Sequence, residues 1–318
     1  MLRYTLTRIF LGLVSLLLLS MIVYAAAQVL PGNPGRIVLG REATPEAVER
    51  LNHALGVDRP LPVRYVDWLS HAVRGDFGAN YTDGRPVTDD LVPALNRSLF
   101  LALYAFVLCI PISILAGVVA ALRRGRPTDR VITVTGLSVA VIPEFVLGAI
   151  LVTLLGPVWL GWFPGIAGAL IDASLFEKLD ALFLPAVALA LVLFGYIARM
   201  ARAGTMEALD ADFTRTAVLK GLTWRQVLFV HVLRNGLLPT IAVISTQVGY
   251  LFGGIVAIEK LFGYPGIGLL TVQSAQIKNF PMLLACVLVI GVLYFAATLT
   301  GDLLTAALNP RVRLARQT

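Results

Sequence analysis

The sequence predicts an all-α integral membrane protein with six transmembrane helices, and three observations carry that prediction. Of its 318 residues, 58% are hydrophobic and 14% charged, against about a quarter charged in an ordinary soluble domain. The apolar residues fall in six runs, each near the about 20 residues that a helix needs to cross a bilayer: Ile9 to Leu30, Leu99 to Leu122, Val131 to Leu155, Leu182 to Ala198, Leu237 to Ile258 and Met282 to Leu308. The basic residues between the runs alternate in density. With both termini cytoplasmic, the inner segments carry Arg3 and Arg8, Arg123 to Arg130, Arg199 to Arg234 and Arg311 to Arg316, while the short outer loops hold only Lys178, Lys260 and Lys278. That is the positive-inside distribution. The net charge of +7 therefore has a topological origin, and nucleic acid is excluded as a partner.

Taken in order, the first run follows Arg3 and Arg8 and ends Ala25-Ala26-Ala27-Gln28, which imitates a secretory leader. It is longer than the 7–15 apolar residues typical of a leader core, so a retained helix is expected. Residues 1–30 are the N-terminal tail and first span. Residues 31–98 form an extracytoplasmic loop, nearly neutral with eight Arg against nine acids. Within it Thr44-Pro45-Glu46 is a helix start, a capping side chain followed by Pro at the first helical position. Leu61, Tyr65, Trp68, Leu69 and Val73 recur at helical spacing, the pattern of a small helix resting on the membrane-facing core. Gly75, Gly78, Gly84 and Pro86 mark turns into the second span. Residues 99–318 form the transmembrane core, in which Pro111 and Pro143 interrupt the second and third spans. Neighbouring helices can satisfy the carbonyls so freed.

The chemistry-bearing residues are few. There is no G-x-x-x-x-G-K-[ST] phosphate loop and no H-E-x-x-H, so the chain does not hold ATP in the P-loop manner. Ser138 lies in a span, but the histidines, His53, His71 and His231, fall outside the spans, leaving that serine no base for hydrolysis. Cys109 and Cys286 sit in apolar runs as packing residues. Two acids lie within spans. Glu144 follows Pro143 near mid-depth, where an exposed charge costs about 2.5–3.5 kcal/mol. It must face protein or water, either lining a solute path or serving as a structural carboxyl bonded to nearby backbone. Asp302 is nearer the cytoplasmic end of the last span, where pairing with the inner basic belt is expected.

The inner segment between spans four and five, about 199–236, is the most patterned. Asp210 and Asp212 are acidic cap candidates, Phe213 to Lys220 reads as a short helix, and Gly221 is placed to stop it in a left-handed turn. Thr223-Trp224-Arg225-Gln226 matches a capping box opening a second helix through His231 to Asn235-Gly236. A short helix held crosswise between two spans is either a lever for a partner or an amphipathic helix on the lipid surface.

This segment resembles the EAA loop of ABC importer permeases in the dipeptide, oligopeptide and nickel branch. Its pattern stands here as Asp212-Phe213, Arg215-Thr216-Ala217, Lys220-Gly221-Leu222, His231-Val232-Leu233-Arg234-Asn235 and Pro239. The resemblance extends to Leu30 to Pro34, Leu55 to Pro60, Arg74 to Gly78, Gly84 to Val87, Glu259 to Gly268 and Asn309 to Arg313. Asn33, Asn279 and Asn309 stand where the branch has Asp, removing a charge at each. The long first outer loop is similar to that of the first of the two permeases in such systems.

The resemblance implies a type I importer permease of MetI-like fold, in the bacterial cytoplasmic (inner) membrane, with lipid around it. It further implies a second homologous permease subunit, two ATP-binding subunits carrying ATP and magnesium, and an extracytoplasmic solute-binding protein. This chain itself would hold no cofactor or metal and catalyse nothing. Asp212, Phe213, Arg215, Thr216, Ala217, Leu219, Lys220 and Gly221 would couple to the ATPases, and Glu144 is the candidate for the translocation path. Di- and oligopeptides are the expected cargo, with nickel chelates, glutathione or sugar-phosphate conjugates as alternatives. An ion-coupled secondary transporter would need more ligands in the spans than Glu144 and Asp302.

Overall fold

The computed structural model describes residues 2–29, 33–40, 42–54, 56, 58–168 and 174–308. Among them no strand forms, only an isolated bridge between Ala79 and Pro86. Five helices are long and apolar enough to cross a membrane, and a sixth candidate is a pair bent by 105°. The chain divides into two compact units, one comprising 8–98 and 265–295, the other comprising the described residues within 1–7, 99–264 and 296–318. Leu30 to Gly32, Leu55, Val57 and Asn309 to Arg313, which carry part of the family resemblance, lie outside the described residues.

In the first unit, α1 (Leu2–Val29) leaves Phe10, Leu13, Leu18 and Ile22 exposed, the surface a lipid-facing helix presents. Helix α2 (Pro34–Leu39) is capped by Asn33, whose side chain accepts from the Arg36 amide. Helix α3 (Pro45–Ala54) opens as expected at Thr44, whose hydroxyl accepts from the Ala47 amide at 3.3 Å. Helix α4 (Leu61–Ala72) sets Tyr65 edge-on to Tyr24 of α1 with ring centroids 5.4 Å apart, and Tyr65 shares a 2.7 Å hydrogen bond with Ser20. Trp68 completes the aromatic trio.

Helix α5 (Val87–Leu122) starts twelve residues before the apolar run that predicted it, because Asp89 and Asp90 lie in its first turn and favour the positive end of the helix dipole. It continues through Pro111 without a break. Asn279, where the branch has Asp, donates to Asn80 Oδ1 at 2.6 Å. A carboxylate could not make that bond.

In the second unit, the expected third span is two helices, α6 (Pro127–Val141) and α7 (Glu144–Leu155), turned by 105° at Ile142-Pro143. Pro143 has no amide hydrogen and disfavours the α conformation at Ile142, which is extended at ψ 128°. A short α8 (Leu175–Ala181) carries a full capping box between Ser174 and Glu177. Helix α9 (Phe183–Asp210) runs twelve residues beyond its apolar run. It is the buried hub of the unit, with small residues from Ala186 to Ala208 turned inward. A Cβ on Gly195 would meet the backbone of Gly136, and one on Gly204 the backbone of Gly236, so α9 packs backbone to backbone, as small residues allow between membrane helices. Cys109, free and buried, contacts the Ala190 carbonyl of α9 at 3.3 Å.

Candidate functional site

The chain leaves α9 through Ala211, whose backbone is extended at φ −75°, ψ 150°. Helix α10 (Asp212–Leu219) then begins with Asp212 inside its first turn. Neither Asp210 nor Asp212 caps it by a side-chain bond, contrary to the sequence expectation, because the break falls between them. The fastening comes instead from Thr214, whose hydroxyl donates to the Ala208 carbonyl at 2.7 Å. The stop is the expected one. Gly221 has φ 76°, and the Gly221 and Leu222 amides return to Val218 and Ala217 carbonyls.

The second helix starts at the expected capping box. The Thr223 amide donates to Gln226 Oε1 at 3.0 Å, and the Gln226 amide donates to the Thr223 hydroxyl at 3.4 Å. After α11 (Trp224–Gln226) the chain makes a π-helical turn over Val227–Val232 before α12 (Leu233–Gly236). The wider turn with its i to i+5 bonding brings residues five apart onto one side. Val227 and Val232 thereby both reach the small core that also holds Ala208 and Ala217. Nothing in the spacing of the sequence announced this π turn.

The residues singled out in this segment separate cleanly. Thr214 and Ala217 are buried against the preceding and following helices. Phe213 is 37% exposed and Leu219 87% exposed, with Val218, Leu222 and Trp224 also exposed. Asp212, Arg215, Thr216, Lys220 and Gly221 are all at the surface. Arg215 and Asp212 stand 4.0 Å apart, an exposed pair of little energetic weight. Ala217, which the resemblance places among the coupling residues, is buried in this core and offers no surface.

Helix α13 (Leu238–Phe262) follows α12. Glu144, the first residue of α7, lies half-buried with its carboxyl over Gly254 of α13, where an added Cβ would sit 2.9 Å from Glu144 Oε1. Its side chain makes no hydrogen bond or ion pair with a described residue. The carboxyl is turned toward α13. Asp302 is half-buried in α14 (Phe280–Leu308). Two polar features escaped the sequence. Glu259, fully buried, belongs to the last turns of α13 and not to a loop. Asp129 is buried and receives Arg202 from α9 at 2.6 and 2.8 Å, whereas the sequence places Arg202 only in the inner basic segment.

Five apolar helices and a bent pair long enough to cross a membrane, with a short helix whose large apolar residues are uncovered, are the features of a polytopic membrane protein. Residues 113–314 match the family described as binding-protein-dependent transport system inner membrane component, and residues 1–92 match its N-terminal family. The chain is 33% identical to the glutathione transport system permease protein GsiC of Escherichia coli (strain K12) over 317 residues, covering 98% of this chain and 99% of the relative. It is similarly 33% identical to GsiC of Shigella dysenteriae serotype 1 and 34% identical to GsiC of Shigella boydii serotype 4, with the same coverage. The chain belongs to this family: it is the permease subunit of a binding-protein-dependent ABC importer of the peptide and nickel type. It is a multi-pass protein of the inner membrane, and its class works with a solute-binding protein and ATPase partners.

Proposed function

We propose that this chain forms half of a solute pathway with a second homologous permease and takes its power stroke through α10. The observation that carries this is the inversion of α10: its small residues Thr214 and Ala217 are fixed to the chain, and its large apolar residues Phe213, Val218 and Leu219 are left uncovered. That surface suits a cleft in an ATPase subunit, with Arg215 and Lys220 at a polar rim. Two ATPase subunits would hydrolyse ATP with magnesium; this chain contributes movement. Closing of the ATPases shifts α10 and, through it, α9, switching access from outside to inside.

Both termini are assigned to the cytoplasm and residues 31–98 to the outside, on the charge distribution. A thiol probe outside the cell is expected to label Ala79→Cys and miss Arg126→Cys, both exposed positions; the opposite pattern overturns the orientation. In the assembled transporter, Leu219→Cys is expected to cross-link to an ATPase subunit in a nucleotide-dependent manner. Cross-linking to lipid-soluble reagent alone, with none to an ATPase, overturns the lever in favour of a surface-lying helix.

Short peptides are the assigned cargo. The GsiC relatives are glutathione permeases by name, and glutathione is itself a small peptide-like solute with amino and carboxyl groups. Glu144 is assigned to the wall of the pathway, where its carboxylate would meet a solute amine. Competition of labelled dipeptide and glutathione uptake by each other separates one shared cargo class from a single dedicated solute.

A further inference from the structure

The second unit contains an ion pair that the transport reading has not used. Asp129, in the first turn of α6, is 5% exposed. It accepts from Arg202 Nε at 2.6 Å and Nη2 at 2.8 Å, from the Gly125 amide at 2.9 Å and from the Thr133 hydroxyl at 3.4 Å. Four donors on one carboxylate make a fully satisfied group, and the two-pronged guanidinium contact fixes orientation as well as distance. Elsewhere in the unit, ion pairs such as Arg124 with Asp210 are well exposed on both sides and fix nothing.

The position of the pair on its two helices gives it a role. Seven residues beyond Asp129 on α6 is Gly136, and seven residues before Arg202 on α9 is Gly195, and these two glycines are in backbone contact. Helices α6 and α9 are therefore antiparallel and joined at two points about 10 Å apart along their axes, one apolar and one ionic. The apolar joint is a close backbone approach flanked by Phe194 and Ala140, held by contact rather than by a directional bond among the described residues. The ionic joint is directional. On the far side of Arg202, α9 runs unbroken to Asp210 and is tied to α10 by Thr214. On the far side of Gly136, α6 ends at the bend that presents Glu144.

We infer that Asp129 and Arg202 form the positioning pair that makes α6 follow α9, so that displacement of α10 reaches the Glu144 bend and is not lost as sliding between the two helices. This rests on the lever reading of α10. Removing the pair should leave the ATPases able to respond to the solute-loaded binding protein but should reduce the solute moved per ATP, because the stroke arrives and is not passed on.

The test uses the complete transporter reconstituted in liposomes with its binding protein. In Asp129→Asn, stimulated ATP hydrolysis is expected to stay near wild type while uptake per ATP falls about five-fold, within the range of coupling lost at connecting residues. Arg202→Lys, which keeps the charge and loses the fork, is expected to fall about two-fold. Spin labels at the exposed positions Glu207 and Ile150, on α9 and α7, should give one narrow distance with and without trapped nucleotide in wild type and a broad or shifted one in Asp129→Asn. The inference is overturned if hydrolysis and uptake fall in parallel, or if uptake per ATP and the label distance are unchanged. Should Asp129→Asn fail to assemble, an Arg202→Lys transporter with wild-type uptake per ATP overturns it equally. Failure of the lever itself is seen separately, as a nucleotide-independent Leu219→Cys cross-linking pattern in the chain with the pair intact.

Discussion

Helices α4 and α10 are both short, both outside the spans, and both packed onto a longer helix, yet they use their side chains in opposite ways. In α4 the largest residues, Tyr65 and Trp68, turn onto Tyr24 of the chain itself, while small apolar residues such as Val63 and Val66 remain exposed. In α10 the small Thr214 and Ala217 turn inward, and Phe213 and Leu219 point away. Burial stabilises in proportion to the area removed from water, so a chain folding for its own stability places its large residues as α4 does. In the proposed lever, the inversion in α10 leaves that gain for an ATPase subunit. On that proposal the difference separates a helix that finishes its own unit from one that waits for a partner.

The strongest way to break the comparison is at the stop of α10. Gly221→Val puts a β-branched side chain at φ 76°. No atom lies within 4 Å of the added Cβ, so the cost, about 2 kcal/mol, is conformational and not steric. Uptake is expected to fall about ten-fold or more, while the purified chain melts only a few degrees lower. Gly221→Asn, which tolerates the left-handed region, should retain most activity. Equal uptake by Gly221→Val and wild type would mean that the geometry of α10 does not matter to coupling.

The reciprocal change is at α4. Tyr65→Ala removes a buried ring and its bond to Ser20 and should cost about 3 kcal/mol of stability. Tyr65→Phe, which loses only the hydroxyl, should cost about 1 kcal/mol. Both are expected to appear in thermal melting and yield, with uptake per correctly folded transporter unchanged. A defect in uptake at normal stability would place α4 with α10 as a partner surface.

The smallest expected effect is at Glu144, which extends the comparison from uncovered apolar groups to an unpartnered polar one. Glu144→Gln keeps the shape over Gly254 and removes the charge. Uptake of a peptide with a free amino group is expected to fall by about three-fold relative to the same peptide with that group blocked, with stimulated ATP hydrolysis retained. An equal effect on both solutes sinks the recognition role and leaves Glu144 as a packing group at the bend.

What the sequence determined by itself is whatever rests on neighbours along the chain. The apolar runs marked the spans, Gly221 marked the stop, and Thr223 with Gln226 and Thr44 with Pro45 marked helix starts, because each needs only a length or a spacing of a few residues. The same local logic drew Asp210 and Asp212 as caps and missed, because a one-residue shift in the break at Ala211 removes the geometry. Only the tertiary structure decided the pairing of Asp129 with Arg202, that of Asn80 with Asn279, the π turn that brings Val227 and Val232 into one core, and the inward face of Ala217. Partners 73 and 199 residues apart meet through the packing of whole helices, and no periodicity within either helix specifies which residue of a distant helix will face it. The face that α10 leaves uncovered is of the same kind, since exposure is a property of what packs against a helix and not of the helix alone.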